Sequence, residues 1–349
     1  MIRYCTRKKQ KLFIICIDFE GTFDKVSGHT LFTKLQFDGL GSLFLSRLIA
    51  VYALTACTIY QTETSFTYHL MADLKQGLPL LPWLFLFYIN DVFEFFKRLY
   101  GQNGILEIIH LLIHADVTAL LASNRESAER KFKTMLEHCK ANHISLQISK
   151  CEFIVINGDD TDRQPFVFGN ESIENVPYIT LLGSHLSQSG KLEDDLKQHM
   201  MKRYLAVHKF YNFIRANKLA PIVVKLKVLQ ACVTSSLLYN CETFGSKIPK
   251  SLESVYYSLI KCCLGVRPNT PNKLVLLESG LPTLESQIKC RQFSFYQRFM
   301  SNLENQSARK LVMDELSESR CDYLDHYISL SSLYSSKQAI RYYYGTKLK

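Results

Sequence analysis

Leu12 to Ile17 is an unbroken apolar run that stops at Asp18. A run of that length with no polar alternation must be covered on both faces, so it reads as a buried strand that delivers a carboxylate at its C-terminal edge. Layers therefore have to pack on both sides of it. The 349 residues allow this, because at roughly 150 residues per domain they suggest about two domains, each able to bury a core.

Composition removes several classes. Hydrophobic residues make up 47% and charged residues only 21%, with 15 Gly and 9 Pro, so disordered, collagen-like and linker-like readings fail. The formal net charge of +10 favours a polyanionic partner, nucleic acid or a membrane surface, without choosing between them. The 11 cysteines contain no C-x-x-C and no Cys/His cluster at zinc spacing, which fits a reducing compartment, nuclear or cytoplasmic. The basic N-terminus leads into an apolar run too short for a signal-peptide core, so secretion is not expected. The most apolar window, Leu78 to Ile89, carries Pro79 and Pro82 and ends at Asn90-Asp91. It is well short of the ~20 residues that a membrane-spanning helix needs, so it reads as buried core and no membrane partner is expected.

Along the chain, Ser27 to Ala53 has helical spacing broken at Gly39 and Gly41, Thr55 to Gln61 and Thr64 to Met71 are β-rich, and Leu80 to Tyr100 is helical with its prolines near the start. Two apolar runs from Ile105 to Leu121 flank His114-Ala115-Asp116, which predicts a hairpin or a tight bend with a carboxylate at its tip. Glu126 to Asn142 follows as an amphipathic helix, Ile144 to Ile156 as a strand, Asn157-Gly158 as a turn toward Phe166 to Phe168, and Tyr178 to Leu186 as a further strand. After Gly190 strand signals nearly vanish. Between Leu196 and Cys241 there is no Asp or Glu, while Lys197, Lys202, Arg203, Lys209, Arg215, Lys218, Lys225 and Lys227 are all basic. Such a stretch is either a solvated helix face or a phosphate-contacting one.

Taken singly, the acids are ambiguous. Asp18 could cap a helix or sit on the surface. Asp116, amid Leu111, Leu112, Ile113, Val117 and Leu120, must be paired, metal-bound or at an exposed turn, because an unpaired buried carboxylate costs several kcal/mol. The joint pattern says more. Cys16-Ile-Asp18-Phe-Glu-Gly-Thr-Phe-Asp24 is followed in order by Gln76-Gly-Leu-Pro-Leu-Leu-Pro82 with Tyr88-Ile-Asn-Asp91, by His114-Ala-Asp-Val117, by Ile148-Ser-Lys150-Cys-Glu152 and by Leu181-Leu-Gly183. This series resembles the palm of reverse transcriptases from non-LTR (LINE-type) retrotransposons. Gly190 to Thr243, with Leu237-Leu-Tyr-Asn-Cys-Glu-Thr243, is similar to that family's thumb and the helical segment after it. Cys263-Leu-Gly-Val-Arg267 with Thr270-Pro271 is similar to its C-terminal helices.

The resemblance implies RNA-directed DNA polymerisation, in which two Mg²⁺ ions about 3.5–4 Å apart neutralise the attacking and leaving oxygens. Mg²⁺ takes hard oxygen ligands, so carboxylates must converge from separate strands. By resemblance Asp18 and Asp116 are the metal-binding carboxylates, with the backbone carbonyl of Phe19 as a further ligand. Phe23 lies under the incoming dNTP sugar, Gln76 and Gly77 form the turn facing template and nucleotide, Lys150 sits near the triphosphate as a proton donor to pyrophosphate, and Leu181 to Gly183 is the primer-grip turn. The implied partners are an RNA template and a DNA primer, or an RNA–DNA hybrid.

The departures bear on chemistry more than on fold. Val117 stands where the family has its second aspartate, His114 replaces an aromatic residue, Leu81 a serine and Gln147 an asparagine. Only 17 residues precede Asp18, so the fingers are expected to be largely absent. The expected architecture is α+β: a basic arm (1–11), a right-hand palm with an antiparallel sheet and packed helices (12–188), an α-helical thumb (189–245) and a helical C-terminal region (246–349). The expected function is that of a retrotransposon-derived reverse-transcriptase-like protein whose polymerase activity is lost or impaired. The alternative is a non-catalytic remnant that binds nucleic acid through the basic thumb stretch.

Overall fold

In the computed structural model, Leu12–Ile17 is strand β1, buried on both faces. Residues 2–21, 26–53, 56–61, 64–69, 80–100, 111–114, 117–244 and 248–301 are described, and the chain divides into two compact units, Met1–Gly190 and Lys191–Lys349.

In the first unit β1 is central to a sheet ordered β5-β6-β1-β8-β10-β9, formed with β5 (Leu111–His114), β6 (Val117–Ala122), β8 (Glu152–Ile156), β9 (Phe166–Phe168) and β10 (Glu171–Asn175). Alternation along β1 sends Phe13, Ile15 and Ile17 into one core and Leu12, Ile14 and Cys16 into another. The first core is closed by α2 (Gly28–Phe37), α4 (Leu81–Ile89), α5 (Asp91–Tyr100) and α6 (Arg125–Ala141), through Leu31, Phe85, Tyr88, Phe96 and Phe132. Each such side chain contributes roughly 1.5–3 kcal/mol on full burial. The other core is closed by Cys5 of α1 (Ile2–Lys8) and by Ile179 of the hairpin β11 (Tyr178–Leu181) and β12 (Ser184–Ser187). Two more pairs occur among the described residues of the unit: β2 (Phe19–Glu20) with β7 (Ser145–Leu146), and β3 (Ala56–Gln61) with β4 (Thr64–His69). Helix α3 spans Ser42–Ala53.

The α+β class and the dominance of antiparallel pairing match the expectation, and four details differ. The β8–β10 pair is parallel, because the β9–β10 hairpin turns the chain back alongside β8; β10 itself was not anticipated. The helix expected over Leu80 to Tyr100 is two helices, divided at Asn90, beside which the Lys34 ammonium donates to the Tyr88 carbonyl at 2.6 Å. The strand expected from Ile144 to Ile156 is broken by a 3₁₀ turn, Ile148–Lys150. The single strand expected from Tyr178 to Leu186 is a hairpin whose two-residue turn has Leu182 at φ 49° and Gly183 at φ 75°, the left-handed pair of a type I′ turn.

The turn after β8 is tied to the N-terminus. Asn157 Nδ2 donates to the carbonyls of Cys5 and Gln10 at 2.9 and 2.8 Å, and Lys11 meets Asp159 and Asp162 at 2.8 and 2.6 Å. A Cβ on Gly158 would lie 2.6 Å from Val155 Cγ2, and Val155 is fully buried. Gly158→Ala is therefore expected to cost about 1–3 kcal/mol in a urea titration, the usual range for overpacking a core.

The described residues of the second unit are helical: α7 (Leu192–Ala216), α8 (Ile222–Val228), a π-helical stretch (Leu229–Thr234), α9 (Ser235–Leu237), α10 (Lys250–Leu264), α11 (Asn272–Ser279) and α12 (Leu284–Ser301). Phe210, Leu229, Leu237, Tyr256, Ile260 and Ile288, from both sides of residue 245, share one core. The apolar positions of α10 recur at helical spacing and are all turned into that core. No helix among the described residues is long and apolar enough to cross a membrane.

Candidate active site

The site begins where β1 ends. The pairs run from Phe13↔Ala122 to Ile17↔Thr118, so Asp18 and Val117 are the next residues at the same end of the two strands. The β5–β6 hairpin closes with His114↔Val117, which leaves Ala115 and Asp116 between the paired residues. Asp116 lies outside the described residues, as do Phe23, Gln76 and Gly77, so the structure says nothing of their positions.

Asp18 interrupts the ladder, and its backbone is held from the opposite side. Its carbonyl accepts the Gln147 amide at 2.9 Å, and its own amide donates to Cys151 Sγ at 3.5 Å. Cys151 Sγ also lies 3.5 Å from the Gln147 carbonyl. Burial pushes the Cys151 thiol up to about 11, partly countered by the Asp18 amide, so the thiol stays protonated at neutral pH and acts as a tether rather than a nucleophile. The turn between these anchors is closed by Lys150 N–H to the Gln147 carbonyl at 2.9 Å and Cys151 N–H to the Ile148 carbonyl at 3.0 Å.

This clamp brings two of the expected residues together: Lys150 Nζ lies 3.9 Å from Asp18 Oδ2. Both side chains are open to solvent, at 63% and 47% exposure. An exposed pair of this kind is worth at most about 1 kcal/mol to stability, so the packing does not require it. Phe19 turns the other way, 5% exposed, with its ring edge-on to Phe85 at 5.8 Å. The roles of Gln147 and Cys151 as ties to Asp18 were not anticipated. The one sequence signal was a cysteine directly after Lys150, just ahead of the apolar run Phe153 to Ile156.

The donors fit a hard divalent cation in type. Asp18 offers a half-exposed carboxylate and Phe19 an adjacent main-chain carbonyl, whereas Val117 has no side-chain oxygen. No group of three or more His, Cys, Asp or Glu positioned for a metal is found among the described residues.

The sequence pattern of the reverse transcriptase (RNA-dependent DNA polymerase) family matches residues 2–186. Among solved structures the chain is similar to telomerase from Candida albicans in complex with the TWJ fragment of telomeric RNA, at 11% identity over 89% of this chain and 52% of that one, with a TM-score of 0.42. It is also similar to apo telomerase from Candida tropicalis, at 13% identity over 88% of this chain and 53% of that one, with a TM-score of 0.42. The chain spans about half the length of these telomerase chains.

Proposed function

The chain belongs to the reverse transcriptase (RNA-dependent DNA polymerase) family, and we propose that it is a palm and thumb of the non-LTR retrotransposon type whose nucleotidyl-transfer site is kept in part and impaired by Val117. The observation that carries this reading is the approach of Lys150 to Asp18, which stability does not call for and which phosphate chemistry does. Asp116, one peptide bond before Val117, completes the carboxylate set with Asp18, and the Phe19 carbonyl adds a third oxygen. These groups would hold a divalent cation, which, when bound, neutralises charge on the phosphates of the incoming dNTP. Lys150 stands close enough to Asp18 to give a proton to the departing pyrophosphate. Phe23, Gln76 and Gly77 position the dNTP and template base in this reading, and the exposed Leu182 at the left-handed turn faces the primer end.

Its test is Mg²⁺-dependent extension of a DNA primer on an RNA template by the native chain and by Val117→Asp. Weak or absent extension by the native chain with a gain in the variant supports the proposal; silence in both overturns it.

One observation favours a second reading, nucleic-acid binding without catalysis. Of the basic residues between Leu196 and Cys241, Lys197, Lys209, Arg215, Lys218 and Lys227 are exposed, whereas Lys225 donates to the Lys218 carbonyl at 2.8 Å and Arg203 to the Ser236 carbonyl at 3.1 Å. The exposed set is the one available to phosphate. Affinity for an RNA–DNA hybrid is then expected to fall linearly with log salt, and Lys209→Glu with Lys218→Glu to reduce the slope by about 2. A slope unchanged by the double variant would retire this reading.

A further inference from the structure

The helical unit has a groove that shares only Arg215 with the basic set of the second reading. Between α7 and α10 lie two adjoining cavities of about 550 and 420 Å³, with Tyr211, Ser254 and Ser258 as shared walls. At one end the lining is aromatic. Tyr204, His208 and Tyr211 follow at helical spacing on α7, which sets three rings along one face. Tyr204 is half exposed, and Tyr211 is fixed by a 2.9 Å hydrogen bond between its hydroxyl and Ser258 Oγ.

The other end is cationic. Lys261 and Cys262 line the second cavity, and Lys261 keeps donors to spare after its 2.8 Å bond to the Pro268 carbonyl. Arg215, exposed, follows Tyr211 by one turn on the same face of α7. Glu253 and Glu285 act on Tyr257, on another wall of the same cavity.

We propose that this groove binds an unpaired nucleic-acid strand, with bases stacked on Tyr204, His208 and Tyr211 and the backbone directed to Arg215 and Lys261. Rings open to solvent offer π-faces to bases whose own faces are free, and a duplex hides those faces within its stack. A partner protein's apolar helix would fill the aromatic end but leave the cations without counter-charge. The proposal does not depend on catalysis in the palm, because its binding assay needs neither Mg²⁺ nor dNTP.

The experiment measures fluorescence anisotropy of a labelled oligouridine of about a dozen nucleotides against the full chain over a salt series. Tyr204→Ala and Tyr211→Ala are each expected to weaken binding roughly 5- to 150-fold, the range for loss of one stacked base, with the salt slope unchanged. Tyr211→Phe keeps the ring and is expected to bind like the parent. Arg215→Gln is expected to lower the slope by about 0.7. Photo-crosslinks from a thiouridine-substituted strand should map to α7 and α10. Parent-like affinity in both alanine variants, crosslinks confined to other elements, or a hybrid duplex that competes as well as the free strand would overturn the proposal.

Discussion

Val117→Asp is expected to raise Mg²⁺-dependent primer extension at least about tenfold over the native chain, because it returns a charge-neutralising oxygen to a site where electrostatic terms dominate the barrier. The position tolerates the change. Val117 is the first residue of β6 and only partly buried, so a short polar side chain there leaves no core cavity, and its backbone pairing with His114 does not depend on the side chain. The substitution also has a consequence that can be read without activity. Asp18 is the next residue beyond the Ile17↔Thr118 pair, so a new carboxylate at 117 faces a like charge across the strands. Directly opposed like charges destabilise by up to about 1 kcal/mol. The melting temperature of the variant should therefore drop by about 2–4 °C without metal, for a unit of this size, and recover as Mg²⁺ is added, since a ligand that binds only the folded state stabilises it. The native chain should show a weaker metal response. A variant that melts like the native chain at every Mg²⁺ concentration and extends no primer would remove the metal-site reading altogether.

How much of this was legible beforehand follows from which forces act locally. The alternation-free run Leu12 to Ile17 reported its own burial, because nothing but two covered faces accommodates it. The β5–β6 hairpin likewise showed in the paired apolar runs around His114-Ala115-Asp116. Lys150 was singled out only through motif order, since a lysine between a serine and a cysteine has no local signature. What stayed hidden was tertiary. The break in the helix at Asn90 lies beside a carbonyl that accepts from Lys34, more than fifty positions away. The 3₁₀ turn that aims Lys150 depends on Gln147 and Cys151 binding the backbone of Asp18. The turn at Leu182-Gly183 was legible only through the resemblance, because leucine rarely accepts positive φ and no Asn-Gly pair marks it, so the local pattern read as one strand.

Lys34→Met is expected to give the largest loss of stability among these variants, about 2–4 kcal/mol, because it removes one partner from a mostly buried network and leaves several acceptors without a donor. The Lys34 side chain is 20% exposed. Its ammonium donates to the Tyr88 carbonyl at 2.6 Å, Asn142 Oδ1 at 2.6 Å and Asp91 Oδ2 at 3.0 Å, and it lies 4.9 Å from the centre of the Tyr88 ring. His138 Nε2 reaches Asp91 Oδ1 at 3.2 Å, and the Tyr88 hydroxyl donates to the Asn142 carbonyl at 2.6 Å. One side chain on α2 thus holds the junction of α4 and α5 and the C-terminal end of α6, the helices that cover the sheet behind the site. Methionine keeps most of the stem volume, so the loss reports the hydrogen bonds rather than a cavity. The pH dependence supplies an independent check. Burial alone would raise the Asp91 carboxyl, but hydrogen bonds from His138 and Lys34 outweigh it and hold it below its ordinary value of 3.8. A carboxyl whose folded pKa is depressed contributes stability that is complete above the unfolded value and lost as pH falls through the folded one. The native chain should therefore lose this contribution on acidification below about pH 4, and Lys34→Met should lose less over the same interval, having less to lose. Urea titrations of both proteins at neutral pH and near pH 3 test this. Equal midpoints at neutral pH would show that the network holds nothing that water could not replace.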